Sequence, residues 1–247
     1  MSGINTAIIL AAGQGSRLRS REPYKPLCPV GGVPLIEWAI EGLAQAGISR
    51  VIVITGYGAE AVEAHLLARS WPMEVEIGRN ADWALPNGVS ARAAAPLLNN
   101  ESALLVMCDH IVDPALYRRV RSAGAGSGLR LGIDRRLRHP WVDLADVTRV
   151  RTQGERIVAI GKGLEPHDAY DTGVFAVGPR FFSVLAELEQ PSLTDAVRVL
   201  AGEGAAEAVD ATGLDWIDID DGDALAKANE AVADAKIKRP SRSCRPQ

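Results

Sequence analysis

Short apolar runs alternate along this chain with helical segments, and that rhythm restricts its fold more than any other feature. Residues 6–11 (TAIILA), 50–55 (RVIVIT) and 101–109 (ESALLVMCD) read as buried strands, and 73–78 (MEVEIG) alternates as another. Between them, residues 34–46 place Leu35, Trp38, Ala39, Leu43 and Ala46 near helical spacing, with Pro34 suited to the first turn and Gly47 as a stop. Further helices are expected over 59–69 and 113–124. Apolar strands separated by helices imply a mixed, mostly parallel sheet flanked by helices on both faces, an α/β, Rossmann-like fold. From residue 128 the texture changes. LRLGIDRR, DVTRVRT and RIVAIGK look like shorter strands in a small, partly antiparallel layer. TGVFAV at 172–177 returns to a buried strand, helices follow at 179–188 and 192–203, a strand lies near 214–219, and an Ala-rich helix closes the fold at 222–236.

These elements read as a single domain over 1–236, followed by a basic, flexible tail at 237–247. The net charge of −4 argues against a nucleic-acid partner. It is an average over unlike parts. The stretch KIKRPSRSCRPQ at 236–247 has bases and no acid, whereas residues 203–234 carry ten acids and one base, Lys227. Residues 15–25 reverse that balance, with Arg17, Arg19, Arg21 and Lys25 against Glu22. No apolar run reaches the roughly 18–20 residues needed to span a bilayer. Cys28, Cys108 and Cys244 form neither a CxxC pair nor a metal spacing with the four histidines. A reducing, cytoplasmic setting is expected.

The first strand runs into Leu10-Ala11-Ala12-Gly13-Gln14-Gly15-Ser16-Arg17. Glycines there let backbone amides approach a phosphate without a Cβ in the way. A dinucleotide fingerprint would need a third glycine, but position 18 is Leu; a Walker loop would need Gly-Lys-Ser/Thr. What remains is an AAGxGxR loop followed by Lys25-Pro26-Leu27, with Arg17 and Lys25 as cations for a triphosphate. Asp109 ends the apolar LLVMCD run, where open α/β sheets bind ligands, and Asp113 before Pro114 is the better helix cap. Period-2 alternation puts Asp218 and Asp220 on one strand face. With a carboxylate from another strand they suit Mg²⁺; the alternative is a solvated strand end capping the last helix.

The run LAAGQGSRLR…YKPLCPVGGVPLIEWAIEGL resembles the signature of nucleotidyltransferases that join an NTP to a phosphorylated alcohol or sugar. The ordered series NADW, NGVS, LLVMCDHIV, DLADVTRV, GERIVAIGK and DTGVF is similar to the CTP:inositol-1-phosphate cytidylyltransferases, over residues 6–223. Pro86 stands where that family more often has Gly, and Ala145 where it has an acid. The resemblance implies a nucleotide-diphospho-sugar transferase-like fold, with 1–127 mainly nucleotide-binding and 128–236 mainly acceptor-binding.

It also implies a reaction. Inositol 1-phosphate attacks the α-phosphorus of CTP, forming CDP-inositol and pyrophosphate. Another phosphorylated acceptor (a phosphonate, phosphocholine or a sugar 1-phosphate), another NTP, or a catalytically silent nucleotide-binding module are the alternatives. The implied catalytic cations are Lys25 and Arg17. Leu10, Ala11, Ala12, Gly13, Gln14, Gly15, Ser16, Asn87, Gly88, Ser90 and Asp109 would meet the nucleotide. Lys162, Asp171, Thr172 and Gly173 would meet the acceptor. Mg²⁺ would sit on Asp109 and Asp220, with Asp218 as the second choice. Taken alone, Lys162 also reads as a turn lysine, Asp171 as a turn residue and Ser90 as a helix cap. His110 is expected to be structural or to support its neighbours, and His65, His139 and His167 to lie at the surface. In the resembled family this domain is often fused to a membrane-embedded alcohol phosphotransferase. Here that activity is expected on a separate partner. Oligomeric state is not legible.

Overall fold

The computed structural model describes residues 3–18 and 22–238. Arg19 and Arg21 of the basic loop, Cys244 and the expected tail from 239 onward lie outside those residues.

The first half alternates as expected. It comprises β1 (Thr6–Ala11), the short pair β2 (Pro29–Val30) and β3 (Val33–Pro34), α1 (Leu35–Gln45), β4 (Arg50–Thr55), α2 (Ala59–Leu67), β5 (Glu74–Arg79) and α3 (Asn87–Ala93). Then come β6 (Ala103–Met107), β7 (His110–Val112) and α4 (Pro114–Ala123). The second half holds β8 (Leu129–Asp134), β9 (Thr148–Gln153), β10 (Arg156–Lys162), β11 (Ala169–Val177), α5 (Pro179–Glu187) and α6 (Leu193–Gly202). β12 (Ala206–Asp210), β13 (Trp216–Asp218) and α7 (Gly222–Ala233) complete it.

Among the described residues, nine strands form one sheet in the order β5-β4-β1-β6-β11-β8-β12-β10-β9. β5, β4, β1 and β6 pair in parallel, as does β12 with β8, while β11, β10 and β9 pair antiparallel with their sheet neighbours. The short strands after residue 128 therefore extend the same sheet and do not form a separate layer. β12, which no motif announced, joins β8 to β10.

Alternation along β1 shows why the sheet is covered twice. Ala7, Ile9 and Ala11 pack with Ile36 and Ile40 of α1 and Leu116 and Val120 of α4. Ile8 and Leu10 point the other way, into a cluster with Ala91 of α3, Phe181 of α5 and Val197 of α6. Each of the Val, Leu, Ile and Phe side chains among these, fully buried, contributes about 1.5–3 kcal/mol relative to exposure. A smaller cluster of Leu18, Trp38, Ile111, Ile217, Ile219 and Leu225 ties α7 and the β7–β13 pair to the loop after β1.

Several boundaries differ from the sequence reading. β6 stops at Met107, so Asp109 lies in the turn beyond the strand. The strand near 214–219 is β13, which leaves the main sheet and pairs antiparallel with β7. Asn87, Gly88 and Ser90 lie within α3, whose N-terminal flank is Pro86, so Ser90 does not cap it. Pro34 flanks α1 and is not in its first turn. α2 ends at Leu67, and α7 ends at Ala233, where Ala235 turns left-handed. Asp113 does cap α4, accepting from the Ala115 amide at 2.8 Å. Asp221 caps α7.

Candidate active site

β1 releases the chain into the glycine loop at the end of the sheet where β6 also ends. Gly15 has φ +57°, and a Cβ there would stand 2.5 Å from Cβ of Lys25. The loop thus lies flush against the Lys25 stem, a close approach that glycine permits. Lys25 begins a single 3₁₀ turn, Lys25–Leu27, and is 7% exposed. Its ammonium donates to Asp109 Oδ2 at 2.6 Å and to Asp220 Oδ1. Burial pushes this ammonium pKa down, but Asp109 and Asp220 outweigh it and hold it above the ordinary value. Burial likewise pushes the Asp109 carboxyl up, and Lys25 with His110 drives it well below the carboxylate range.

The other oxygen of Asp109 faces His110, whose Nδ1 is 3.0 Å away. The imidazole stacks on Trp216, 6.0 Å between centroids and 9° between planes. Trp216 Nε1 in turn donates at 3.0 Å to the buried Asp134. Gly173, at φ +74°, leaves room for the ring; a Cβ there would lie 2.7 Å from His110 Cδ2. Asp218 completes the group. Its Oδ1 is buried without a hydrogen-bond partner, 3.6 Å from His110 Nδ1. Burial, with Asp109 and Asp220 adding to it against His110, pushes its carboxyl up to about 7. Ligand atoms of Asp109, His110 and Asp218 lie within 4.8 Å of one another.

Two cavities open here. The first, about 270 Å³, is lined by Leu10, Ala11, Gly13, Gly15, Ser16, Arg17, Lys25, Asp109 and Asp220. The second, about 450 Å³, is lined by Asn87, Asp146, Lys162, Asp171, Gly173, Trp216, Asp218 and others, again with Asp109 and Asp220. These last two carboxylates form a wall common to both.

Most of the expected residues converge on this seam, and some do not. Ala12 and Gln14 stand outside both cavity walls. Ser90 is buried and accepts from Asn80 Nδ2 at 2.9 Å. Gly88 packs on the Pro191 carbonyl, and Thr172 is fully buried and donates to the Gly132 carbonyl at 2.7 Å. Asn87 lines the larger cavity while its Oδ1 accepts from the Leu193 amide at 2.9 Å, joining α3 to α6. Asp171 faces the same cavity; burial pushes its carboxyl up to about 6 although the Gly173 amide donates to it at 2.7 Å. Lys162 is exposed and pairs with Asp146, to which Arg17 also donates at 3.1 Å. Nothing in the DLADVTRV stretch by itself marks Asp146 as a site residue. The histidines expected at the surface are largely covered: His65, His139 and His167 have side chains 15%, 15% and 12% exposed.

A family model described as the MobA-like NTP transferase domain matches residues 7–188. The chain belongs to that family. Among curated proteins, this NTP transferase chain is 34% identical over 232 residues to the bifunctional IPC transferase and DIPP synthase of Rubrobacter xylanophilus, covering 92% of this chain and 51% of that one. It is 31% identical over 243 residues to the protein of the same description from Aquifex aeolicus, covering 95% and 53%. The chain thus spans about half the length of the curated relatives it matches. A solved structure of the inositol-1-phosphate CTP transferase from T. maritima superposes with a TM-score of 0.84 at 24% identity, covering 95% of this chain and 97% of that one. That likeness confirms the mixed α/β nucleotidyltransferase fold. Among the described residues no helix is long and apolar enough to cross a membrane.

Proposed function

We propose that this NTP transferase joins CTP to inositol 1-phosphate, releasing pyrophosphate and forming CDP-inositol. The observation that carries the reading is the shared wall of Asp109 and Asp220, with Lys25 clamped between them, dividing a glycine-loop cavity from one that holds Lys162 and Asp171. A transfer between two phosphates needs two adjoining anion sites and charge stabilisation at their junction. The choice of nucleotide and acceptor follows the name of the structural neighbour, and the curated relatives are described as IPC transferases.

In this reading residues 1–127 mainly hold the nucleotide and 128–236 mainly the acceptor. The loop amides and Arg17 take the β- and γ-phosphates, and Lys25 faces the α-phosphate. Lys162 holds the acceptor phosphate, and Asp171 accepts from ring hydroxyls. An oxygen of the acceptor phosphate attacks the α-phosphorus, and the bond from that phosphorus to the bridging oxygen of the β-phosphate breaks. Because the nucleophile is already anionic, no side chain needs to remove a proton.

A divalent cation is general to nucleotidyl transfer, and the site is suited to one. Asp218 Oδ1 is a buried acceptor with no donor, beside Asp109 and within the same acidic corner as Asp220. Mg²⁺, a hard ion favouring carboxylate and phosphate oxygens, would be held by Asp109 with Asp218 and Asp220, and would neutralise phosphate charge when bound. The cysteine pattern and the use of free nucleotides support a cytoplasmic setting. A CDP-alcohol phosphotransferase activity would consume its product.

The test is pyrophosphate release with each of the four NTPs against inositol 1-phosphate, glucose 1-phosphate, phosphocholine and a phosphonate, with and without Mg²⁺. Release with CTP and inositol 1-phosphate, dependent on Mg²⁺, is expected. Release with glucose 1-phosphate but not inositol 1-phosphate overturns the acceptor assignment, and no release under any condition favours a silent binding module.

A further inference from the structure

Asp146 has no part in the scheme above, yet it touches both of its halves. It stands in the loop between β8 and β9, with its side chain 23% exposed. Oδ2 accepts from Arg17 Nη2 at 3.1 Å, and Oδ1 accepts from Lys162 Nζ. Arg17 lies on the turn after the glycine loop, and Lys162 is the last residue of β10. Their side chains are 52% and 61% exposed, so packing does little to hold either long chain in place. Arg17 also pairs with Asp220 at 3.8 Å, and the charge of Asp221 reaches it too.

We propose that Asp146 is a positioning residue that draws Arg17 and Lys162 to the two oxygens of one carboxylate, and so sets the spacing at which donor and acceptor phosphates meet. The inference rests on the cytidylyltransferase reading, which gives those two cations to different substrates. Exposed ion pairs of this kind contribute little to stability, so support of the fold is not what this arrangement offers. An in-line transfer, by contrast, depends steeply on the placement of the two groups. Asn at this position keeps the size and loses the charge. Both cations then remain available to bind phosphate, but nothing holds them together.

The experiment compares wild type, Asp146→Asn and Asp146→Glu in pyrophosphate release, with CTP and inositol 1-phosphate varied in turn. For Asp146→Asn we expect kcat to fall about tenfold to a hundredfold while KM for both substrates stays level or falls. The Glu variant recovers part of the rate, and thermal unfolding is unchanged. A kcat within about twofold of wild type, or a raised KM at unchanged kcat, overturns the positioning role and leaves the substrate assignment standing. Wild-type turnover with a different nucleotide or acceptor overturns the assignment instead, and the same comparison on that pair then tests Asp146. A wild type that turns over no pair overturns both.

Discussion

Lys25 Nζ lies 2.6 Å from Asp109 Oδ2, which ties a residue of the glycine-loop cavity to the wall that both cavities share. A buried ammonium is tolerable there because Asp109 and Asp220 both accept from it. In the proposed reaction the same ammonium would meet charge that develops on the transferred phosphate.

Replacing Lys25 by Ala removes that charge. We expect kcat to fall about 10²- to 10³-fold, equivalent to roughly 2.7–4 kcal/mol of transition-state stabilisation. Steady-state kinetics alongside circular dichroism would check this. A folded variant with near wild-type turnover would take Lys25 out of the mechanism.

Gly173→Ala probes the seat of His110. The added methyl meets the imidazole at 2.7 Å, and φ +74° is unfavourable for any residue with a Cβ. Strain of this kind costs about 1–3 kcal/mol. Urea unfolding should show that loss, and turnover should fall with it as the ring beside Asp109 is displaced. An unchanged midpoint would mean that the irregular stretch of β11 relaxes without cost.

Asp218→Asn tests the cation site. The variant keeps the shape but weakens the orphaned acceptor beside Asp109. The Mg²⁺ concentration giving half-maximal rate should rise by about tenfold or more, with saturating Mg²⁺ restoring much of the rate. An unshifted Mg²⁺ titration would assign the ion to Asp109 and Asp220 alone. Chelation of divalent ions from the wild type should abolish turnover.

His65 supplies a pH dependence away from the site. Its ring packs between α2 and α1, 3.0 Å from Glu37 and near Arg69. Burial, then Arg69, lowers its pKa below the ordinary 6.5 despite Glu37. As the pH falls below 6.5 the unfolded chain takes up this proton before the folded one does, so His65 costs stability there and not above it. Asp171 and Asp218, with raised pKa values, act in the opposite direction over part of that range. The informative quantity is therefore the difference between wild type and His65→Gln. Urea unfolding at pH values from about 7.5 to about 5 should show wild type losing ground to the variant below 6.5. A difference that does not change with pH would exclude the effect.

The glycine-loop half of the candidate site was legible because its signals are local. Strand period, a positive-φ glycine and a Lys-Pro turn each act over a few residues, and they identified β1, Gly15 and Lys25 together. Other motif residues misled for the same reason. NGVS and DTGVF mark turns and close packing whatever their use, and Ser90 and Thr172 are in fact spent on buried hydrogen bonds to Asn80 and Gly132. By itself the sequence determined the βα rhythm, the basic loop and the acidic C-terminal stretch, since composition and periodicity need no partner. Tertiary structure alone decided that β13 pairs with β7, that Lys25 reaches Asp220 across 195 residues, and that Asp146 meets both Arg17 and Lys162. Those contacts depend on how the sheet and the small cluster beneath the site pack, and no local pattern encodes a distance between segments so far apart in the chain.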